Sequence, residues 1–437
     1  FDHLTQSLWA SIYCTRRFYC IANRIFIIAF MTNHPKVTKD LLFQRLWGLS
    51  KRNVRMGMVG GGEGAFIGAV HRMAANLDGN ITLVCGAFSS NHERSTASGL
   101  ALNLDPERCY HSYQQMFEQE ASLPQHLRMD FVAIVTPNHL HFDVAKMAME
   151  YGFHVMCDKP ATFHLSQAIE LKKVIKNTGC LYGLTHTYTG YPMVKQARHL
   201  VQTGELGNIR KVVVEYFQGW LASKDDENSK QAAWRLDPNQ SGISCCMGDI
   251  GVHAANLAEY VTGLDITHLC SDLNSVVEGR KLDDDGTVLL KFNNGSKGVL
   301  MASQIAAGEE NHLKLRIYGE KASIEWQQME PNSLWYRPLL GSAQLIRTGV
   351  GDLCEAALNA ARTPPGHPEG YLEAFANIYR NFAAQVLAHT YDRSTSNKAF
   401  DVPGIDEAIR GMAFIKNAVA ASAENTKWQA FTLEGKG

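Results

Sequence analysis

The chain has 437 residues, which is enough for two domains of ordinary size. Hydrophobic residues make up 45% and charged residues 19% of the chain, as in a typical globular protein. The 42 basic and 43 acidic residues leave a net charge of −1, so no basic excess supports binding to nucleic acid.

Ten cysteines are scattered along the chain without a C-x-x-C pair. Disulfide scaffolds are shorter and denser in cysteine, so we expect reduced, mostly buried thiols in a cytoplasmic protein. The spacing gives no set of zinc ligands, and no metal site is expected. No stretch reaches the ~18 uninterrupted apolar residues of a membrane span, so no membrane association is expected.

The N-terminal region differs from the rest of the chain. Residues 1–30 contain a short apolar run, residues 25–30, close to three arginines. This run is too short for a signal peptide or a membrane span. We expect residues 1–50 to be a partly disordered extension, of which residues 1–30 do not belong to the working fold.

Residues 51–186 alternate between strand and helix patterns. The predicted strands are residues 54–59, 81–88, 130–136, 154–157 and 181–185. The predicted helices are a segment that ends near Leu77 and residues 112–120, 141–151 and 165–177. This alternation predicts βαβ units and a parallel sheet, and the near-continuous apolar strands agree with burial on both faces.

Residues 187–425 follow another pattern. Strand-like segments dominate residues 266–346, and turn signals separate them, which is typical of an antiparallel sheet. The other predicted elements are a strand at residues 209–218, helices at 192–203, 248–263, 371–388 and 405–421, and a proline-rich loop at 350–370. We expect the terminal helices to pack back on the first domain and residues 426–437 to form a tail.

A glycine-rich turn joins the first predicted strand to the first predicted helix, with the pattern Gly60-x-Gly62-x-x-Ala65. In a dinucleotide-binding fingerprint the first glycine permits the turn and the second lets the backbone approach the pyrophosphate. A small third residue lets helix and strand pack closely, and the helix N-terminus offers N–H groups to the phosphates. The turn therefore predicts a Rossmann domain that binds NAD or NADP.

The end of the second predicted strand lacks the carboxylate that would bind the ribose 2′-hydroxyl of NAD. Ser89, Ser90 and Arg94 stand there instead. A guanidinium group binds phosphate well, so NADP is slightly favoured over NAD. The alternative is that Arg94 is solvated at a helix start and that Glu93 supplies the acidic group.

Three further polar segments point to a reaction site. Two of them, Thr136-Pro137-Asn138-His139-Leu140-His141 and Asp158-Lys159-Pro160, follow predicted parallel strands, at the edge where such sheets bind ligands. In the third, Asp249 and His253 are four residues apart and share a helix face. Each has an ordinary alternative, because a single lysine is usually solvated and D-x-x-x-H is often a helix cap with an incidental histidine.

Together these segments resemble the Gfo/Idh/MocA family, which includes glucose–fructose oxidoreductase and inositol dehydrogenase. The resemblance covers about residues 54–425. It implies an α/β protein with an N-terminal Rossmann domain and a C-terminal domain around an open, mainly antiparallel sheet, through which homodimers or homotetramers form. The sequence departs from the family with Asp158 in place of the usual Glu and with Cys245-Cys246 in place of small residues.

The resemblance gives catalytic roles to Lys159, Asp249 and His253. Hydride transfer from a secondary alcohol needs a group that takes the hydroxyl proton, and either Lys159 or His253 could do so. Expected cofactor contacts are Gly60, Gly62, Ala65, Ser89, Ser90, Arg94, Thr136, Pro137, Asn138, His141, Asp158 and Lys159. Expected substrate contacts are Asn138, Lys159, Tyr188, Tyr191, Arg235, Asp249 and His253, although each tyrosine could equally belong to the core.

The sequence thus predicts an NAD(P)-dependent dehydrogenase or reductase that acts on CH–OH groups of a sugar, a sugar derivative or a cyclitol. Two alternatives remain: a glycosidase that uses tightly retained NAD(P) transiently, and a non-enzymatic dinucleotide sensor. The Lys–Asp–His set disfavours the sensor, because a sensor needs no proton-transfer pair. A zinc alcohol dehydrogenase is disfavoured because no cysteine spacing completes a catalytic zinc site.

Overall fold

The computed structural model describes residues 52–224, 230–392 and 400–434, so the predictions for residues 1–50 lie outside the described residues. Within these ranges no helix is long and apolar enough to cross a membrane. They form a parallel sheet and a mainly antiparallel sheet, each packed against helices, which confirms the predicted fold class.

The first sheet has five parallel strands in the order β2-β1-β3-β4-β5. The strands are β1 (Val54–Gly60), β2 (Ile81–Ala87), β3 (Phe131–Val135), β4 (His154–Cys157) and β5 (Tyr182–Leu184). Every residue of β3 is buried, because helices cover both faces of the sheet. The strand order reverses between β1 and β3, so a crevice opens at their carboxyl ends, where such sheets bind ligands.

The helices that follow these strands match the predicted βαβ pattern. They are α1 (Phe66–Asn76), α2 (His92–Ala101), α3 (Tyr113–Ser122), α4 (His141–Glu150) and α5 (Leu165–Thr178). Helices α3, α4 and α5 bury apolar side chains against one face of the sheet, where Val132 and Ile134 of β3 lie. Helix α2 lies outside the set of predicted helices; its N-cap Asn91 accepts a hydrogen bond from the Arg94 N–H.

The second sheet has nine strands in the order β13-β12-β11-β10-β6-β9-β8-β7-β14. The strands are β6 (Ile209–Phe217), β7 (Ile266–Asn274), β8 (Asp285–Phe292), β9 (Lys297–Ser303), β10 (His312–Gly319), β11 (Ala322–Gln327), β12 (Ser333–Pro338), β13 (Gln344–Arg347) and β14 (Gln429–Ala430). Strands β6 and β9 run parallel, and the other neighbouring pairs are antiparallel. Along β6, Val212, Val214 and Tyr216 are buried on the face that helices cover.

The remaining helices are α6 (Pro192–Gln202), α7 (Lys230–Leu236), α8 (Pro238–Ser241), α9 (Val252–Thr262), α10 (Glu355–Ala360), α11 (Tyr371–Thr390) and α12 (Ile405–Ala423). Of these, α6 connects the two sheets, and the others link strands of the second sheet. Helices α6, α9 and α12 share the core of the second sheet. Helix α11 instead packs on the parallel sheet, where the Phe382 ring meets Phe131 edge to face at 5.4 Å between centroids.

Three sequence predictions need correction in this region. The expected loop at residues 350–370 contains α10, whose Ala357 and Ala360 are buried, and its prolines lie beyond that helix. The expected helix at 248–263 begins with a π-helical turn, Met247–Gly251, that apolar periodicity does not reveal. The expected tail contributes β14, because Gln429 pairs with Leu269 at the sheet edge.

Candidate active site

A cavity of about 1140 Å³ crosses the carboxyl ends of β1 and β3 and reaches into the second domain. One end is lined by the glycine turn and by Ser89, Ser90 and Arg94. The other end is lined by Lys159, Asp249 and His253, which come from separate parts of the chain. The cavity therefore brings the predicted cofactor residues and the predicted reaction residues into one space.

The glycine turn leaves no room for side chains where a dinucleotide would pass. Gly60 has a φ of +79°, and a Cβ atom there would lie 2.4 Å from the carbonyl oxygen of Val135. A Cβ on Gly62 would lie 2.8 Å from the carbonyl oxygen of Phe88. The N-cap of α1 receives no side-chain hydrogen bond, so the helix N-terminus at the cavity has N–H groups for a pyrophosphate. These features fit a dinucleotide.

The third fingerprint position is Gly68, and the assignment to Ala65 is corrected. Ala65 lines the cavity and is the N-cap of α1. The close helix-to-turn contact is made one helical turn later, because a Cβ on Gly68 would lie 2.4 Å from both the Cα and the carbonyl oxygen of Gly61. In the simple G-x-G-x-x-G spacing the third position falls on Ala65, but here the close contact is made three residues later, at Gly68.

The second loop of the cavity contains Thr136, Pro137 and Asn138, all of which line it. The Asn138 side chain donates to the carbonyl oxygen of Ser241 at 3.1 Å. His141 is absent from the described cavity lining and is buried, with its ring nitrogens 2.8 Å from the Thr136 carbonyl and 2.7 Å from the Pro160 carbonyl. We correct the prediction for His141, since it joins the two loops from behind and does not face the cofactor space.

Asp249 is the centre of a charged network at the second end of the cavity. Lys159 Nζ donates to its Oδ1 at 2.6 Å and to its carbonyl oxygen at 2.7 Å. Arg235 Nε and the Gln304 amide both donate to its Oδ2 at 3.0 Å. Burial raises the pKa of Asp249, but Arg235 and Lys159 outweigh burial and hold that pKa below its ordinary value. Asp249 is therefore an anion that fixes the Lys159 ammonium.

Asp158 holds the backbone of Lys159 in place. Its Oδ1 accepts hydrogen bonds from the Lys159 N–H at 2.9 Å and from the Thr185 hydroxyl at 2.7 Å. Its Oδ2 lies 3.8 Å from Nε2 of the buried His71, whose Nδ1 lies 2.6 Å from the Tyr379 hydroxyl. Burial raises the pKa of Asp158, but His71 and Lys159 have the larger, opposite effect and hold that pKa below its ordinary value, so the carboxylate is ionised.

His253 lies at the start of α9, just after the π-helical turn. Its ring meets Tyr188 edge to face at 5.0 Å, and its Nδ1 lies 3.4 Å from Nδ1 of His186. Burial, Lys159 and His186 lower the pKa of His253 well below its ordinary value, against the weaker opposite effect of Asp249. The imidazole is therefore neutral and has a lone pair for a proton, and its lowered pKa makes it a weak base.

Hydroxyl and amide groups line the wall beside His253. The hydroxyls of Tyr188 and Tyr216 are hydrogen-bonded to each other, and Tyr216 also donates to Asn311 Oδ1 at 2.7 Å. Tyr191 is corrected, because it is 1% exposed, does not belong to the described cavity lining, and packs on Trp326 at 5.3 Å between centroids. Its ring stacks on that of Tyr188 at 6.4 Å between centroids and lies in the core.

Sequence reasoning missed several groups around these residues. His186 follows β5 at the same carboxyl edge that identified Lys159, so the edge rule could have found it. His71 stands three residues after Gly68, on the buried side of α1. Gln304 directly follows β9 and Asn311 directly precedes β10, and no local signal places them beside Asp249 or Tyr188.

Comparison with known proteins agrees with this architecture. Residues 54–186 match an oxidoreductase family with an NAD-binding Rossmann fold, and residues 194–325 match the GFO/IDH/MocA C-terminal domain. The chain belongs to the Gfo/Idh/MocA family. The predicted resemblance is thereby confirmed, and this Gfo/Idh/MocA protein is an enzyme, an NAD(P)-dependent oxidoreductase.

Several relatives match this Gfo/Idh/MocA protein over most of its length. The oxidoreductase YfiI of Bacillus subtilis is 34% identical over 382 residues, which are 86% of this chain and 97% of YfiI. An inositol dehydrogenase homolog from Azotobacter vinelandii, solved with NAD+, is 33% identical with a TM-score of 0.84 over 87% of this chain and 98% of that one. Another structure of an inositol dehydrogenase homolog from that organism contains NADH and myo-inositol. An oxidoreductase from Sinorhizobium meliloti is 43% identical, with a TM-score of 0.77 over 86% of this chain and 99% of that one.

Proposed function

We propose that this enzyme transfers a hydride between NAD(P) and a secondary alcohol or ketone of a sugar, a sugar derivative or a cyclitol. The observation that carries the proposal is the placement of Lys159, Asp249 and His253 in the same cavity as the glycine turn. The Azotobacter relative that was solved with NADH and myo-inositol supports this substrate class. Bound NAD(P) supplies the hydride acceptor or donor, and the residues of the chain handle the proton.

The two candidate proton acceptors differ in their surroundings. Lys159 Nζ is fixed by its ion pair with Asp249 at 2.6 Å, so we assign it to stabilisation of the alkoxide that develops on the substrate. His253 is neutral, so we assign it to acceptance of the hydroxyl proton. The Lys159 ammonium also makes a bound hydroxyl more acidic, so a weak base suffices.

The polar wall suits a neutral polyol. Tyr188, Tyr216 and Asn311 offer hydroxyl and amide groups, and Trp234 offers an apolar ring for C–H faces. The guanidinium of Arg235 lies 4.4 Å from the Trp234 ring centroid and donates to Asp249. The two cations Arg235 and Lys159 are offset by two ionised carboxylates, Asp249 and Asp158. We therefore expect uncharged sugars and cyclitols to be preferred over sugar phosphates.

Turnover of single variants tests the reaction site. Lys159→Ala and His253→Ala should each lower kcat by ~10²-fold or more with the best substrate of a neutral panel (myo-inositol, D-glucose, levoglucosan, D-xylose). NAD(P)H binding, followed by nicotinamide fluorescence, should stay within about two-fold because neither change touches the glycine turn. The matched control is Lys172→Ala, which removes an exposed lysine of α5 paired with Asp406 and should leave kcat unchanged. Near-normal turnover in both site variants would refute the proposed site.

For the cofactor, we propose that the enzyme accepts both NAD and NADP, with a small preference for NADP. Ser89, Ser90 and Arg94 line the cavity, and no carboxylate stands at the end of β2 to repel a 2′-phosphate. Arg94 is exposed, however, and an exposed ion pair contributes at most about 1 kcal/mol, or roughly five-fold in affinity. The NAD+ complex of the Azotobacter relative supports acceptance of NAD.

Titration with NADPH and NADH at two ionic strengths tests the cofactor proposal. We expect NADPH to bind up to about five-fold more tightly at low salt, and this difference to vanish at ~1 M salt or in Arg94→Ala, because solvent ions screen exposed charges. A clear preference for NADH at low salt would show that Glu93 or a backbone group reads the 2′-hydroxyl.

We also propose that the enzyme forms a homo-oligomer through the face of the second sheet that the helices leave open. A row of side chains crosses this face in register from Leu289 through Val299, Val213, Arg316, Glu325 and Trp335 to Leu345. Leu289, Trp335 and Leu345 are exposed large apolar side chains. Light scattering should give a mass of two or four chains, and Val213→Glu should shift it toward the monomer; a monomeric wild type would refute this proposal.

A further inference from the structure

Two imidazoles meet behind the cavity wall. Nδ1 of His186 lies 3.4 Å from Nδ1 of His253, and the two rings are nearly perpendicular, at 80°. His186 is 1% exposed and His253 is 8% exposed. Within the part of the chain that the structure describes, His186 is the residue that a ring nitrogen of His253 contacts at hydrogen-bond distance.

The two rings occupy different sides of the wall. His253 lines the cavity, whereas His186 does not belong to its described lining. The Nδ1 atom of His253 is therefore turned away from the cavity toward His186. The other ring nitrogen, Nε2, is the atom left for a substrate hydroxyl.

Asp249 does not take this orienting role in the described structure. Its carboxylate oxygens accept from Lys159, Arg235 and Gln304, and none of these bonds involves His253. Asp249 acts on His253 only through its charge. The group in contact with the ring is His186. The backbone of His186 is held in place, because its N–H donates to the Leu184 carbonyl at 2.8 Å and its carbonyl accepts from the Thr189 hydroxyl at 2.9 Å.

We propose that His186 is a positioning residue that accepts a hydrogen bond from Nδ1–H of His253 and so keeps Nε2 of His253 free to take the substrate proton. This inference rests on the proposed function, because it concerns how the proposed proton acceptor is held. In the step itself the substrate O–H bond breaks and an N–H bond forms at Nε2. His253 then carries a positive charge, and its bond to His186 becomes charge-assisted and shorter.

The surroundings of His186 suit an acceptor. Burial and the nearby Lys159 lower the pKa of His186 to about 3, so this ring is neutral near pH 7. The neutral ring has one nitrogen with a lone pair and one with a hydrogen. With Nδ1 as the acceptor, the hydrogen of His186 sits on Nε2, which has no partner among the described groups.

Variants of His186 with and without an acceptor test the proposal. Asparagine can place an amide oxygen near the position of Nδ1, whereas leucine cannot accept a hydrogen bond. We expect His186→Leu to lower kcat by ~10- to ~100-fold with KM and NAD(P)H affinity within about two-fold, and His186→Asn to restore kcat to within about three-fold of wild type. The matched control is His154→Leu, which removes a buried imidazole of β4 outside the site and should leave kcat unchanged.

A double-mutant cycle shows whether His186 acts through His253. In the His253→Ala background, adding His186→Leu should cause less than about two-fold further loss, since residues that act as a unit are not additive. Multiplied losses, or an unchanged kcat in His186→Leu alone, would overturn the inference. If His253→Ala itself keeps normal turnover, the proposed function fails instead.

Nitrogen NMR of histidine-labelled enzyme gives a readout without turnover. The ring nitrogens of His253 should report the Nδ1–H tautomer in wild type and in His186→Asn. A mixture or the Nε2–H tautomer is expected in His186→Leu. An Nε2–H tautomer of His253 in wild type would overturn the proposal, and so would a tautomer that is the same whatever residue stands at position 186. Wild type and the asparagine variant decide the test if the leucine variant folds poorly.

Discussion

Replacement of Asp249 by asparagine tests the central charged network of the site. The Asp249 side chain is 15% exposed and accepts from Lys159, Arg235 and Gln304. Asparagine keeps the shape of the side chain but offers one acceptor oxygen in place of two and carries no charge. Either Lys159 or Arg235 must then face an NH₂ group that cannot accept its hydrogen.

The size of the effect follows from the bonds that are lost. A hydrogen bond to a charged group contributes about 1.5–3 kcal/mol, and the two cations make two such bonds to the Asp249 side chain. Asparagine retains one weaker bond, and Lys159 is then held less well. We therefore expect transition-state stabilisation to fall by about 3 kcal/mol. At about 1.4 kcal/mol per factor of ten, kcat/KM should fall ~10²-fold.

The assay is steady-state oxidation of the best neutral polyol at saturating cofactor. NAD(P)H affinity should stay within about two-fold, because the glycine turn is untouched. Asp406→Asn is the control, since it removes a carboxylate from an exposed pair with Lys172 and should change kcat/KM less than about two-fold. A folded Asp249→Asn enzyme within about five-fold of wild type would refute the reasoning that this carboxylate fixes Lys159.

Three further predictions concern the turn, the carboxylate before Lys159 and acid stability. Gly68→Ala should weaken NAD(P)H binding by ~10-fold or more in a fluorescence titration, because its methyl group would meet backbone at 2.4 Å, whereas Gly370→Ala meets nothing closer than 3.8 Å and should bind normally. Asp158→Glu should keep kcat within about three-fold, since one additional methylene can bring a carboxylate oxygen within hydrogen-bond distance of His71 Nε2, which lies 3.8 Å from the Asp158 carboxylate. Asp158→Ala should lose ~10-fold or more, and equal losses in the two variants would contradict this account. The pKa of His186 is lowered to about 3 in the folded enzyme, whereas a histidine in the unfolded chain has a pKa near ~6.5. Between these two pH values only the unfolded chain binds a proton at this residue. The free energy of unfolding should therefore fall by about 1.4 kcal/mol for each pH unit as pH drops from ~6.5 toward 3. His186→Asn should reduce this slope in urea unfolding at pH 5 and 7, and an unchanged slope would argue against a depressed pKa.

Local sequence signals were enough to predict much of the fold. The five strands of the parallel sheet and the two terminal helices were identified, because unbroken apolar runs and helical periodicity survive in one dimension. The carboxyl-edge rule brought Asn138 and Lys159 to one cavity, and the family resemblance added Asp249 and His253.

The errors at the site share a physical cause, since each depended on how side chains and backbone pack in three dimensions. His141 and Tyr191 sit beside cavity residues in sequence, but their side chains turn into the core. The true third fingerprint glycine, Gly68, is defined only by its approach to the turn in space. Gln304 reaches Asp249 across 55 residues of chain, and no spacing rule could have predicted that contact.

Helix α11 has a consequence for how this enzyme is made and how it can be divided. Phe131 of the nucleotide-binding sheet is covered by Phe382, and His71 of α1 bonds to Tyr379, both from α11. During synthesis, one side of that sheet therefore stays exposed to water and to other nascent chains until α11, near the end of the chain, has been made. A fragment that stops after β5 should aggregate, and a chimera that exchanges cofactor halves between relatives should carry residues 371–390 together with residues 54–186.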